Sequence, residues 1–140
     1  MVNFKSSCLR KGVVGGRIGQ ALSELHVQID IAGETDLEIT RGAIDEIKNS
    51  IGPLKRNFRT SAEEVRLIDA GVRKMSKLLK GNPSQETLTY AKAELKEIRT
   101  NFRKTFQKGF LDCGAPKADA YEIRELVDDN AHYHDTHPQT

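Results

Sequence analysis

Residues 61–108 read SAEEVRLIDAGVRKMSKLLKGNPSQETLTYAKAELKEIRTNFRKTFQK. Within this stretch, apolar residues recur every three or four positions on both sides of the break Gly81-Asn82-Pro83. They are Val65, Ile68, Val72, Met75 and Leu79 before the break, and Leu88, Ala91, Leu95, Ile98 and Phe102 after it. This spacing places each set on one face of an α-helix. Because the connection is short, the sequence predicts an antiparallel helical hairpin that buries both faces together.

The ends of both predicted helices are marked in the sequence. Ser61-Ala62-Glu63-Glu64 has the form of a capping box, in which two side chains satisfy free backbone donors at a helix start. Gly81 is placed to adopt the left-handed conformation that closes a helix. The second helix is predicted to start at Pro83 or Ser84 and to reach about Lys108, a length of roughly 37 Å at 1.5 Å per residue.

The preceding segment predicts another helix, because Leu37, Ile44, Ile47 and Ile51 keep a helical spacing. Thr35-Asp36-Leu37-Glu38 has the form of a capping box at its start. The helix is predicted to stop near Gly52-Pro53, since proline cannot donate a backbone hydrogen bond and disfavours helix in the residue before it. Leu54 to Arg59 would then be a basic connector.

Residues 18–40 allow two interpretations. A helix is indicated by residues that step by three and four: Ile18, Leu22, Leu25, Ile29 and Ala32. A small β-hairpin near 25–40 is indicated by apolar residues that alternate with polar ones: Leu25, Val27, Ile29 and Ile31. The helical interpretation is slightly favoured, although it leaves Val27 and Ile31 on the side opposite the apolar stripe.

The predicted domain organisation follows from these elements. Residues 1–17 have no sustained periodicity and contain glycines at 12, 15 and 16, with another following at 19, and they are interpreted as a flexible basic arm. A last helix of about three turns is indicated by Ala120, Ile123, Leu126 and Val127. Residues 131–140 form a polar, histidine-containing tail. The expected fold is therefore all-α, an antiparallel bundle of four to five helices within residues 18–130.

Composition narrows the class of protein. The chain has 140 residues, of which 37% are hydrophobic and 30% charged, which suits one helix-rich domain. No apolar run approaches the roughly 20 residues that a membrane span needs, and no secretory signal is recognised at the start. Cys8 and Cys113 form no disulfide framework and are interpreted as inert thiols. We therefore expect a cytoplasmic protein without a membrane partner.

Charge is unevenly distributed along the chain, although its net value is only +2. Residues 1–17 carry four basic and no acidic side chains, and residues 18–46 carry one and seven. Residues 48–108 carry 15 basic and six acidic side chains, and residues 109–140 carry two and seven. The predicted hairpin is thus a basic unit between two acidic segments.

The strongest functional feature is a basic stripe on the long predicted helix. Its members, Lys92, Lys96, Arg99 and Arg103, fall within a sector of about 60° at ~100° per residue. Neighbouring like charges at this spacing cost roughly 0.2–0.5 kcal/mol per pair, so an acidic counterpart is expected. Three counterparts are open: a phosphate backbone, an acidic protein partner, or the internal carboxylates Glu122, Glu125 and Asp129. Lys55, Arg56 and Arg59 could extend the basic surface.

Other motifs are weaker. His132, His134, His137 and Asp135 could bind a metal, but they lie in a polar tail without helical spacing, so no metal site is predicted. The glycine-rich residues 12–19 match no phosphate-binding motif. No nucleophile or metalloprotease motif occurs, and neither an enzymatic activity nor a cofactor is predicted.

The sequence therefore favours a small non-catalytic interaction protein, an adaptor, inhibitor or regulator, that presents charge-patterned helices to a macromolecular partner. A protein partner with an acidic surface is preferred. The alternative is a nucleic-acid-binding accessory factor that uses the same basic stripe on phosphates. A homo-oligomer remains compatible with the sequence.

Overall fold

The computed structural model describes residues 6–31 and 34–112 of the chain. Four α-helices follow one another: α1 (Ser6–His26), α2 (Leu37–Asn57), α3 (Ala62–Leu78) and α4 (Gln85–Asp112). A π-helical turn (Val27–Ile31) continues α1, and a 3₁₀ turn (Arg59–Ser61) precedes α3. The helices pack in a ring, each against its neighbours in sequence, with α1 also packed against α4. The described residues thus form an antiparallel all-α bundle, which confirms the predicted fold class.

The α3–α4 hairpin forms as its apolar spacing predicts. The core-facing residues of α3, together with Ala91, Leu95, Ile98 and Phe102 of α4, are at most 1% exposed, and Leu88 is half-buried. Gly81 has a φ of 65°, the predicted left-handed conformation. Arg41 of α2 supplements this end of α3, because its guanidinium donates to the carbonyl oxygens of Leu79 (2.7 Å) and Gly81 (2.6 Å).

The capping residues differ from the prediction at the starts of α2 and α3. Ser61 precedes α3, but its Oγ is buried and makes no hydrogen bond, so the predicted capping box does not form. At α2 the cap is Asp36, whose carboxylate accepts from the backbone N–H of Ile39 (3.1 Å). Thr35 instead donates to the carbonyl oxygen of Gln28. Ser84 does cap α4, accepting from the N–H of Thr87.

The predicted stop of α2 at Gly52-Pro53 is wrong, because the helix continues through Pro53 to Asn57. A proline inside a helix costs about 3 kcal/mol. Two large side chains beyond it, Leu54 and Phe58, are at most 1% exposed. Burying such side chains contributes roughly 1.5–3 kcal/mol each, which offsets the cost of the proline. The predicted connector from Leu54 is therefore the last turn of α2, followed by the 3₁₀ turn.

Residues 18–31 are helical, as the favoured interpretation predicts, and the described residues near 25–40 contain no strand. Ile18, Leu22 and Leu25 are at most 3% exposed. The change to π-helical geometry at Val27 rotates the later side chains relative to those of a regular α-helix. Val27, which the helical interpretation placed on the side opposite the stripe, is also buried, at 2% exposure, as are its neighbours His26 and Gln28.

The interpretation of residues 1–17 as a loose arm is corrected by α1, which begins at Ser6. Lys11 donates to the carbonyl oxygen of Gly109 on α4 (3.0 Å), and Gly15 lies directly against the ring of Phe106. Glycine is unfavourable for helix formation, but here its missing side chain lets α1 approach α4. The packing gained at this contact stabilises the helix.

Several predicted features lie outside the described residues. They are residues 1–5, Cys113, the last predicted helix with Glu122, Glu125 and Asp129, and the tail with His132, His134, Asp135 and His137. Among the helices described, none combines the length and the apolar character needed to cross a bilayer.

Candidate functional site

The four cations of the basic stripe lie together along one side of α4. Lys92, Lys96, Arg99 and Arg103 line a groove of about 530 Å³ with Thr89 and Ala93 of the same helix and with His26 and Asp30. The stripe runs straight because positions four and three apart lie one above the other on a helix. The opposite wall comes from the end of α1 and its π-helical turn. We refer to this feature as the basic groove.

Asp30 is the one carboxylate among the residues that line the basic groove. Its Oδ2 lies 2.5 Å from His26 Nδ1, and its Oδ1 lies 3.4 Å from the ammonium of Lys92. The Asp30 side chain is only 15% exposed, and its Oδ1 is ion-paired with the Lys92 ammonium. The π-helical turn therefore places a negative charge against the first cation of the stripe.

The pKa of Asp30 reflects these neighbours. Burial alone raises the pKa of this carboxyl, because it disfavours the charged form. The hydrogen bond from His26, followed by the charges of His26 and Lys92, lowers the pKa by more than burial raises it. The net pKa lies below the usual value of 3.8, so Asp30 is ionised at neutral pH.

His26 connects this carboxylate to the cation stripe. Its Nδ1 lies 2.5 Å from Asp30 Oδ2 and 3.0 Å from the Nη1 of Arg99. A guanidinium can only donate, whereas an ionised carboxylate can only accept. Nδ1 must therefore carry a proton to bond Asp30 and must lack one to bond Arg99. Nδ1 can therefore make only one of these two contacts as a hydrogen bond at a time.

The Asp30 contacts predict a pH-dependent stability. A carboxyl with a lowered folded-state pKa stabilises the fold above its unfolded pKa, and this contribution is lost as the pH falls through the folded-state pKa. We therefore expect wild type to be more stable than Asp30→Asn at about pH 6, and the difference to shrink below the usual value of 3.8. Urea denaturation at a series of pH values measures this difference. The control is Asp45→Asn on the exposed side of α2, whose stability should differ much less from that of wild type. If the stability difference between wild type and Asp30→Asn did not vary with pH, the lowered pKa of Asp30 would be contradicted.

A second basic cluster lies at the other end of the bundle. Arg56 and Arg59 line a groove of about 580 Å³ with Arg10 and Lys11 of α1, together with Asn57, Thr60 and Asp112. Asp112 lies nine residues beyond Arg103, or about 13 Å along α4 at 1.5 Å per residue. Its carboxylate accepts from the hydroxyl of Thr60, and Lys108 donates to the Thr60 carbonyl oxygen (2.6 Å).

The structure thus separates the residues that the sequence grouped as one candidate surface. It brings the four α4 cations together, places Arg56 and Arg59 in the second groove, and leaves Lys55 exposed outside both. Sequence reasoning missed Asp30 as the partner of Lys92, and it assigned Arg10 and Lys11 to an arm. The spacing of four between His26 and Asp30 could have predicted their contact, because residues four apart are neighbours on a helix, but only if this segment was taken to be helical.

The described residues contain no group of three or more histidine, cysteine, aspartate or glutamate side chains placed to hold a metal ion. The predicted histidine tail lies beyond them. Comparisons of the chain with protein-family models, with curated proteins and with solved structures find no match.

Proposed function

We propose that this chain is a small non-catalytic interaction protein of the cytoplasm, an adaptor, inhibitor or regulator, that binds an acidic surface of a partner protein through the basic groove. One observation carries the proposal: four cations of α4 and a single carboxylate, Asp30, line the same groove. Complementary charge across an interface mainly gives specificity and fast association.

The charge balance of the groove supports an external partner. Like charges at helical neighbour positions cost roughly 0.2–0.5 kcal/mol per pair, and the stripe contains three such consecutive pairs. Asp30 offsets this cost chiefly at Lys92, the end of the stripe to which it is ion-paired. An acidic partner seated in the groove would place further negative charge along the stripe.

A protein partner fits the groove better than a nucleic acid. Proteins that bind single strands stack bases on aromatic side chains, and no phenylalanine, tyrosine or tryptophan is among the described residues that line the basic groove. Tyr90, which is 59% exposed, lies about 160° around α4 from Lys92 at ~100° per residue, away from the stripe. Nucleic-acid binding is therefore the alternative outcome of the test.

Reversing two charges of the stripe tests the proposal. We expect Lys96→Glu/Arg99→Glu to weaken partner binding by at least about tenfold, because like charges facing each other in an interface cost several kcal/mol. The measurement compares capture of proteins from nuclease-treated extract by the immobilised wild type and variant. Circular dichroism melting confirms that the variant is folded.

The control is Arg66→Glu/Arg73→Glu on α3, which makes the same change in net charge at side chains that are 64% and 71% exposed. It should retain every partner that wild type retains. Capture that persists in the stripe variant would overturn the proposal. Tight binding of unrelated polynucleotides, steeply weakened by salt and abolished by the stripe variant, would instead establish the nucleic-acid alternative.

A further inference from the structure

We propose that the second groove, at the end of the bundle where α2 and α4 finish, binds a ligand that carries two or more phosphate groups. This site is independent of the proposed function, which uses the basic groove. Three properties of the second groove support it: its cations come from separate parts of the chain, its arginines are unpaired among the described residues, and contacts with α4 hold the backbone that carries them.

The charge of the second groove calls for more than one phosphate group. Arg10 and Lys11 come from α1, Arg56 from the last turn of α2, and Arg59 from the 3₁₀ turn. Asp112 is the one carboxylate among the described residues of the lining, so four cations and one anion give a net charge of +3. A phosphate monoester carries about −1.5 to −2 at pH 7. One such group leaves part of the positive charge unbalanced, whereas two groups balance it.

The guanidinium groups of the second groove are free to receive a ligand. Arg10, Arg56 and Arg59 are exposed, and none of them forms an ion pair or a hydrogen bond with another described residue. The carboxylate of Asp112 does not neutralise them, because it accepts from the hydroxyl of Thr60 instead. A guanidinium presents its N–H donors in a planar fork that matches the oxygens of phosphate. Arginine clusters are accordingly a recurring means of recognising phosphate groups.

Contacts with α4 hold the backbone that carries these cations. Lys11 donates to the carbonyl oxygen of Gly109 (3.0 Å), and its ammonium lies 5.7 Å from the centre of the Phe58 ring. Gly109 itself lies directly against that ring. The 3₁₀ turn is also tied to α4, because Lys108 donates to the carbonyl oxygen of Thr60 (2.6 Å). The parts of the chain that meet at the groove are therefore in place before a ligand binds, which lowers the cost of ordering them.

Helix-end electrostatics do not explain the cluster. A cation in the last turn of a helix is favoured by the helix dipole, and this accounts for Arg56. Arg10, however, lies near the start of α1, the end at which the dipole favours anions. Arg59 lies beyond the end of α2. Two of the three arginines thus have no local reason to be basic, and a shared anionic ligand supplies one.

Calorimetric titration of the full chain with pyrophosphate tests the site. We expect saturable binding of one pyrophosphate by wild type, and binding at least about tenfold weaker in Arg56→Gln/Arg59→Gln, because charge-assisted hydrogen bonds are lost. Arg10→Gln should also weaken binding several-fold, since α1 forms a separate part of the lining. Inorganic phosphate, and citrate as an anion without phosphorus, should each bind wild type several-fold more weakly than pyrophosphate.

The matched control is Lys96→Gln/Arg99→Gln, which removes the same net charge from the basic groove. It should bind pyrophosphate almost as tightly as wild type, and circular dichroism melting of every variant establishes that it is folded. An equal loss in both double variants would show that net charge alone acts and would overturn the site. So would the absence of saturable pyrophosphate binding by wild type, equal binding of citrate, or binding confined to long polynucleotides.

A second experiment distinguishes a free phosphate compound from a lipid headgroup. Wild type and Arg56→Gln/Arg59→Gln are sedimented with phosphatidylcholine vesicles that contain a minor fraction of lipid with a doubly phosphorylated headgroup. Wild type that sediments with these vesicles, when the variant does not, would identify the headgroup as the source. Pyrophosphate binding without sedimentation would identify a free compound. Sedimentation of both proteins alike would place lipid binding outside the second groove and would overturn the headgroup as its ligand.

Discussion

Replacing Phe58 with alanine is expected to lower the free energy of unfolding by about 3–5 kcal/mol, the range measured for buried phenylalanine residues. Phe58 is 1% exposed, although it lies in the short connection between α2 and α3. Its ring centroid is 6.0 Å from that of Phe106, which in turn stacks on Phe102 at 5.6 Å. Lys11 of α1 covers the ring at 5.7 Å. The substitution therefore opens a cavity where α1, α2 and α4 meet.

Urea denaturation of wild type and Phe58→Ala measures this loss. Tyr90→Ala is the control, because Tyr90 is 59% exposed and surface substitutions usually change stability by no more than about 0.5 kcal/mol. A loss below about 1 kcal/mol for Phe58→Ala would mean that the neighbouring rings fill the space and that Phe58 does not anchor this end of the bundle.

The α3–α4 hairpin could be read from the sequence because each of its determinants is local. The apolar residues of each helix repeat within a few turns, and Gly81 supplies the left-handed residue at the break. Nothing distant in the chain had to be known. The same holds for the basic stripe, since the positions of Lys96 and Arg103 on one side of α4 follow from helical spacing alone.

Local rules failed where distant contacts decide the outcome. Local sequence rules predict that a helix ends at Pro53. The helix α2 nevertheless continues beyond it, because Leu54 and Phe58 are buried against other helices. The glycines of α1 indicate a loose segment until Phe106, about 90 residues away in sequence, is known to pack against Gly15. In both cases, packing against other helices supplies the free energy that decides whether the segment is helical.

The surroundings of the stripe were unpredictable for the same reason. Asp30 reaches Lys92 because a π-helical turn alters the direction of the side chains after His26, and sequence spacing gives no sign of that turn. Arg56 and Arg59 were grouped with the stripe because they are basic, but a helix longer than expected carries them to the far end of the bundle. Charge type can be read from a sequence, whereas charge placement requires the fold.

Gly15→Ala is expected to destabilise the protein by about 1–3 kcal/mol, the cost typical of overpacking a core. In an ordinary helix this substitution stabilises by roughly 0.5–1 kcal/mol, because glycine has more conformational freedom to lose. At Gly15, however, an added Cβ would lie 1.8 Å from a ring carbon of Phe106. That ring is 6% exposed and stacks on Phe102, so it cannot move aside without disturbing the core.

Gly42 provides the matched control, because there a change from glycine to alanine should raise the stability rather than lower it. It lies inside α2, it is exposed, and an added Cβ would meet no atom within 4 Å. Gly42→Ala should therefore stabilise by about 0.5–1 kcal/mol, and thermal or urea unfolding of both variants measures the contrast. Adding Phe106→Leu to Gly15→Ala should make the combined loss smaller than the sum of the two separate losses, since the smaller side chain makes room for the methyl group. If both alanine variants were stabilised alike, α1 would not approach α4 at Gly15, and the first turns of α1 would not be held by the bundle.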